Sequence, residues 1–94
     1  MSALGFIEMP NLTDAVEALD VMLKTAAVEF VTWEKKLGGR LVTTIVRGEV
    51  SAVQAAVDAA LHSKAGRIVA SAVIANPHSE TERMVAVSAA RFSS

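Results

Sequence analysis

Two histidines, His62 and His78, and no cysteine are all that this 94-residue chain offers for metal or thiol chemistry. Neither histidine has a Cys, His or carboxylate at the spacing of a zinc or di-iron motif, so no metal site and no cofactor are expected. Serine, histidine and aspartate all occur, but no nucleophile elbow presents a serine, and the chain does not read as an enzyme. Gly38-Gly39 can bring a ligand close to backbone amides, yet it lacks the phosphate-loop spacing that ends in Lys followed by Ser or Thr. What remains is positive charge. Lys35, Lys36 and Arg40 border the glycine turn, and Lys24 stands near the end of an expected helix, where a cation offsets the negative end of the dipole. A cationic turn repeated about a symmetry axis becomes a dense ring of charge. His78, after Asn76-Pro77, reads either as a surface turn residue or as a contact between subunits.

The elements that must carry these residues follow from periodicity. Ala3 to Met9 is an apolar run suited to a buried strand, ended by Pro10 and Asn11. From Leu12, the residues Ala15, Ala18, Leu19, Met22, Leu23 and Ala26 recur at helical spacing, with Asn11 or Thr13 as cap. Val28 to Lys35 and Leu41 to Arg47 pair as a hairpin across Gly38-Gly39, where glycine places no side chain in the way. Trp33, the sole indole, is expected to pack. Gly48 is expected to break the strand. A second helical stripe then runs through Val50, Val53, Ala56, Val57, Ala60 and Leu61, with Glu49 at the positive end of the dipole and Ala65-Gly66 as its stop. Ile68 to Ala75 reads as a fourth strand, apolar on both faces apart from Ser71. Ser79-Glu80-Thr81-Glu82 has the form of a capping box opening a short C-terminal helix.

The predicted order is βαββαβ: an α+β, ferredoxin-like sandwich with an antiparallel or mixed four-stranded sheet, helices on one face and a short C-terminal helix. Residues 1–94 form one domain with its core at about 3–78 and a helix and tail at 79–94, because a second domain would leave neither half an adequate core.

With 52% hydrophobic residues, 4% aromatic and mean hydropathy +0.42, the chain is more apolar than a small monomer needs, which points to burial between subunits. A net charge of −1 and a pI near 6.1 disfavour a nucleic-acid partner, and the few aromatics disfavour an RNA-recognition sheet. The N-terminal segment lacks a basic n-region, and no run reaches the roughly 18 apolar residues of a membrane span, so an intracellular domain without membrane contact is expected.

Taken together, LGFIEM, DVMLKTAAVEFVTWEK, LVTTIVRGEVSAVQAAVDAA and VIANPH, spread over residues 3–78, resemble the single-domain, hexamer-forming shell proteins of bacterial microcompartments. That resemblance implies a structural subunit in the cytoplasmic shell of a microcompartment: a cyclic homohexamer that tiles edge to edge with itself and with shell paralogues. It implies a central pore for small metabolites, lined by the turn Lys36, Leu37, Gly38, Gly39 and Arg40. It implies hexamer-edge contacts at Lys24 and at Asn76, Pro77 and His78, and it admits amphipathic targeting helices of enclosed enzymes as partners. The chain departs from the family pattern in three places. KLGGR is one residue longer than the usual Gly-Ser-Gly turn, Asn76 stands where Arg is usual, and Ala27 replaces a helix-end Asn. The WEKKLGGR turn points to a catabolic rather than a carbon-fixing compartment. The rival reading from a different class is a ligand-sensing regulatory domain, since ferredoxin-like domains also bind small molecules between subunits.

Overall fold

A computed structural model describes residues 2–35, 41–63 and 67–93. The elements run β1 (Ser2–Met9), α1 (Leu12–Thr25), β2 (Glu29–Lys35), β3 (Val42–Glu49), α2 (Val50–His62), β4 (Ala70–Ala75) and α3 (Ser79–Ser93). The strands lie in the order β2-β3-β1-β4, and all three pairings are antiparallel. The α+β, βαββαβ reading therefore holds, with the sheet wholly antiparallel.

Strand alternation divides the sheet into two faces. Ala3, Ile7 and Met9 of β1 and Val46 of β3 point to the first face and are buried against Ala18 and Met22 of α1 and Val53, Ala56 and Ala60 of α2. Each of these helices buries most of its predicted stripe, Ala15, Ala18, Leu19 and Met22 on α1 and Val53, Ala56, Val57 and Ala60 on α2, while Leu23 and Leu61, expected on the same stripes, are exposed. Asn11 caps α1, its side chain accepting the Asp14 N–H at 2.9 Å. Trp33 packs against this core beside Phe30, their ring centroids 4.7 Å apart and tilted by 52°.

The second face is thinner. Leu4, Ile45 and Val85 form a small separate cluster, with Phe6 and Val31 packed beside it. Its cover is α3, a helix of 15 residues whose backbone, among the described elements, lies against β2. Residues 79–94 had been expected as a short helix and tail; instead, α3 lies on the face opposite α1 and α2.

Three local expectations are corrected. Gly48 does not break β3: it pairs with Ala3, and Glu49 continues the ladder to Ser2. Glycine allows a close approach there, since a Cβ would come within 3.1 Å of the Ala27 carbonyl oxygen and 3.2 Å of Val28 Cγ1, tight enough that these neighbours would have to give way. The second helix ends at His62, not at Ala65-Gly66, because the Ser63 amide and hydroxyl both donate to the Ala60 carbonyl, at 3.2 and 2.8 Å. Residues 64–66 lie outside the described residues. The fourth strand begins at Ala70, after the Val69 N–H has bonded the Glu8 carbonyl at 2.8 Å, and it is one of the two outer strands, with most of its residues exposed.

Candidate assembly rims

The registers place the candidate residues at two ends of the sheet. At one end, Ser2 opposes Glu49, Ala3 opposes Ala75, and Glu29 opposes Arg47. α1 reaches this same end, where Ala26 closes it through a 3.2 Å bond to the Met22 carbonyl and the chain turns into β2. Lys24 and Asn76-Pro77-His78 therefore share one rim. At the other end, Met9 pairs with Val42 and Val42 with Lys35, so β2 ends and β3 begins at the opposite rim. The candidate pore residues Lys36, Leu37, Gly38, Gly39 and Arg40 themselves lie outside the described residues.

Lys24 Nζ lies 2.8 Å from Asp20 Oδ2, one turn back, with the lysine side chain 74% exposed. The hydrogen bond to Asp20, and then its charge, raises the ammonium pKa above the ordinary lysine value. The pair stays solvated, so it orients Lys24 along the last turn of α1 without burying it.

Asn76 adopts φ 52°, the left-handed region that Asn tolerates better than most residues, and its N–H bonds the Ser2 carbonyl at 3.0 Å. That bond extends the β1–β4 ladder by one step and turns the chain out of the sheet. His78 then caps α3: its Nδ1 accepts the Glu80 N–H at 3.1 Å and its carbonyl accepts the Glu82 N–H at 3.1 Å. The expected capping box does not form, and His78, one residue earlier, takes the cap position. Ser79 is the first helical residue, and the Glu82 carboxylate turns to Arg47 instead of its own helix end.

Arg47 Nη1 and Nη2 grip Glu82 Oε2 and Oε1 at 2.8 and 2.5 Å, and Nη1 also lies 3.3 Å from Ser2 Oγ. This two-pronged pair was not anticipated, because residues 35 positions apart carry no local signal of pairing. The Arg47 hydrogen bond and charge lower the Glu82 pKa below the ordinary carboxylate value, while burial opposes the shift. A carboxyl with a depressed folded-state pKa contributes stability above its unfolded pKa and loses it as pH falls through the folded one. Both side chains are 34% exposed, so the pair contributes about 0.5 to 1 kcal/mol. Arg47→Ala should therefore lower the unfolding midpoint modestly at neutral pH, with the difference from wild type vanishing in acid; denaturant titrations at pH 7 and pH 3 test this, and an unchanged difference at pH 3 would contradict it.

Further along α3, the Ser88 hydroxyl lies 3.2 Å from Thr32 Oγ1 and donates to the Glu34 carboxylate. Between these two polar attachments, Val85 enters the small second-face cluster. A cleft of about 520 Å³ remains under the helix, bordered by Phe6, Ile45, Met84 and Val87. Among the described residues there is no group of three or more His, Cys, Asp or Glu placed to hold a metal ion. Nor is any described helix long and apolar enough to cross a membrane.

The fold defines a class: a βαββαβ domain of ferredoxin-like strand order. The chain belongs to the BMC domain family, whose model matches residues 3–77. It is 47% identical over 85 residues to the bacterial microcompartment shell protein PduA of Citrobacter freundii, covering 88% of this chain and 90% of the relative. It is 43% identical over 86 residues to the shell protein EutM of Escherichia coli K12, covering 89% and 88%. It is 46% identical over 88 residues to the carboxysome shell protein CsoS1C of Hydrogenovibrio crunogenus, covering 90% and 85%. A solved microcompartment protein from Desulfitobacterium hafniense DCB matches 94% of this chain with a TM-score of 0.78 at 25% identity; this chain spans 48% of that longer one.

Proposed function

We infer that this protein is a structural shell subunit of a bacterial microcompartment that closes into a cyclic homohexamer and tiles with other shell proteins. It is not an enzyme. The observation that carries the reading is the family match over residues 3–77; it is supported by the end of β2 at Lys35 and the start of β3 at Val42 lying at the opposite end of the sheet from Ser2 and Ala75. A wedge with its turn toward the axis and Lys24, Asn76, Pro77 and His78 outward can close a ring and still present an edge to its neighbours. Closed rings repeat one heterologous contact, and obligate contacts are apolar. The exposed Phe30 on β2 and Ile74 on β4 fit that need, lying on the two outer strands of the sheet. The regulatory alternative draws no support from the comparisons.

In this reading Lys36, Leu37, Gly38, Gly39 and Arg40 line a central pore, and small metabolites cross there. Amphipathic targeting helices of enclosed enzymes are candidate partners of the assembled tile. Identity to PduA and to CsoS1C is nearly equal, at 47% and 46%, so the reading of a catabolic compartment rests on the turn alone. A cation repeated around an axis attracts anions and repels cations. Shells built with Arg40→Ala should therefore admit cations faster and anions more slowly than wild type, and equal fluxes through both would refute the pore assignment.

A further inference from the structure

We propose that Ser88 is a positioning residue for the candidate pore: from α3 it holds the Glu34 carboxylate on the second face of the sheet, so that this charge is not free to neutralise the cations that follow it in the chain. The proposal rests on the reading of residues 36–40 as the pore turn. The order of the hydrogen bonds is fixed by their chemistry. Ser88 has one hydroxyl proton, and it goes to the Glu34 carboxylate, an acceptor only. Ser88 Oγ therefore accepts from Thr32, whose proton is shared between Ser88 Oγ and the Trp33 carbonyl, 3.2 Å from each. Thr32 is fully buried and Ser88 is 7% exposed, so the relay from Thr32 through Ser88 to Glu34 satisfies two hydroxyls that water does not reach.

The place of this relay in the fold gives it its effect. Glu34 opposes Thr43, and the next pair, Lys35 with Val42, is the last before residues 36–40. The Arg47–Glu82 pair ties the first half of α3 at the other end of the sheet, where Arg47 opposes Glu29, so Ser88 is the attachment beside the pore end. Lys35 and Lys36 follow Glu34 directly, and Arg40 lies beyond Gly38-Gly39. Glu34 is exposed apart from this one contact, and a carboxylate free to swing pairs with a neighbouring cation. Held on α3, it leaves those cations unneutralised, and repetition about a ring axis multiplies the difference.

Fluxes of acetate and methylammonium through assembled shells test the proposal. Ser88→Ala should lower the anion-to-cation flux ratio by about 2- to 5-fold, the size of an exposed ion pair newly made in each subunit. Ser88→Thr keeps the hydroxyl and should keep the ratio. Ser88→Ala combined with Glu34→Gln should restore it, a recovery that a merely loosened helix would not show. Hydrogen exchange reads the attachment without reference to transport: Ser88→Ala should speed exchange in the second half of α3 by about 5-fold, as expected for one lost buried hydrogen bond, with β1 unchanged. Unchanged exchange in α3, a ratio that stays at the wild-type value in Ser88→Ala while Arg40→Ala shifts it, or a lowered ratio that persists in the double variant would each overturn the proposal. A ratio indifferent to Arg40→Ala as well would place the failure in the pore reading itself, and the role of Ser88 would fall with it.

Discussion

Gly5→Val is expected to cost about 3 kcal/mol of folding stability, a large part of what a domain of this size possesses. Gly5 sits in the middle of β1 facing α2, and a Cβ built there lies 2.8 Å from Val53 Cγ1, 3.1 Å from Val46 Cγ2 and 3.2 Å from Val57 Cγ2. All three neighbours are buried valines whose short, branched side chains cannot swing aside. The helix must therefore move off the sheet, and the substitution should be read in the urea midpoint. Gly5→Ala should have a smaller effect in the same direction, partly reversed by adding Val53→Ala, which removes the closest contact. An unchanged midpoint for Gly5→Val would show that α2 does not pack where described.

Lys24→Ala should produce the largest functional loss at the smallest structural cost. The residue lies outside the Ala15, Ala18, Leu19 and Met22 stripe, its side chain is mostly exposed, and its ion pair is with Asp20 on the same helix, so removing it leaves the core intact. Hexamers should form as in wild type, while extended sheets should be lost or greatly reduced under electron microscopy. Asp20→Ala gives a useful companion. It frees Lys24 from its own helix and should leave tiling present, separating loss of the ammonium from loss of the local pair. Ordinary sheets from Lys24→Ala would remove this residue from the edge, and single chains would place it in ring closure.

Much of the fold was legible because its signals are local. The α1 stripe, the Asn11 cap and the alternation of β1 each depend on residues a few positions apart, and the structure uses them as spacing dictates. Gly48 misled because a glycine in a strand has two meanings, a break or a close approach, and the Ala27–Val28 segment that needs the space is distant in sequence. The capping box misled for a similar reason. Its Glu82 had a better partner in Arg47, across the sheet, and His78 supplied the cap instead. The second face escaped the sequence reading because α3 meets the sheet through separated residues, Glu82, Val85 and Ser88, instead of a continuous apolar stripe.

The apolar character of β4 was also legible, although its meaning depends on assembly. An outer strand with Ile74 exposed and its neighbour Val69 exposed is costly for an isolated chain and useful for one that meets its own copies. The same holds for Phe30 at the opposite outer strand.

The central claim is that this 9.9 kDa chain is a wedge in a closed ring. Light scattering on the purified protein, across a wide dilution series, tests it most directly. The account predicts a mass six times that of the chain, held down to low concentration; a mass of one chain throughout would contradict it.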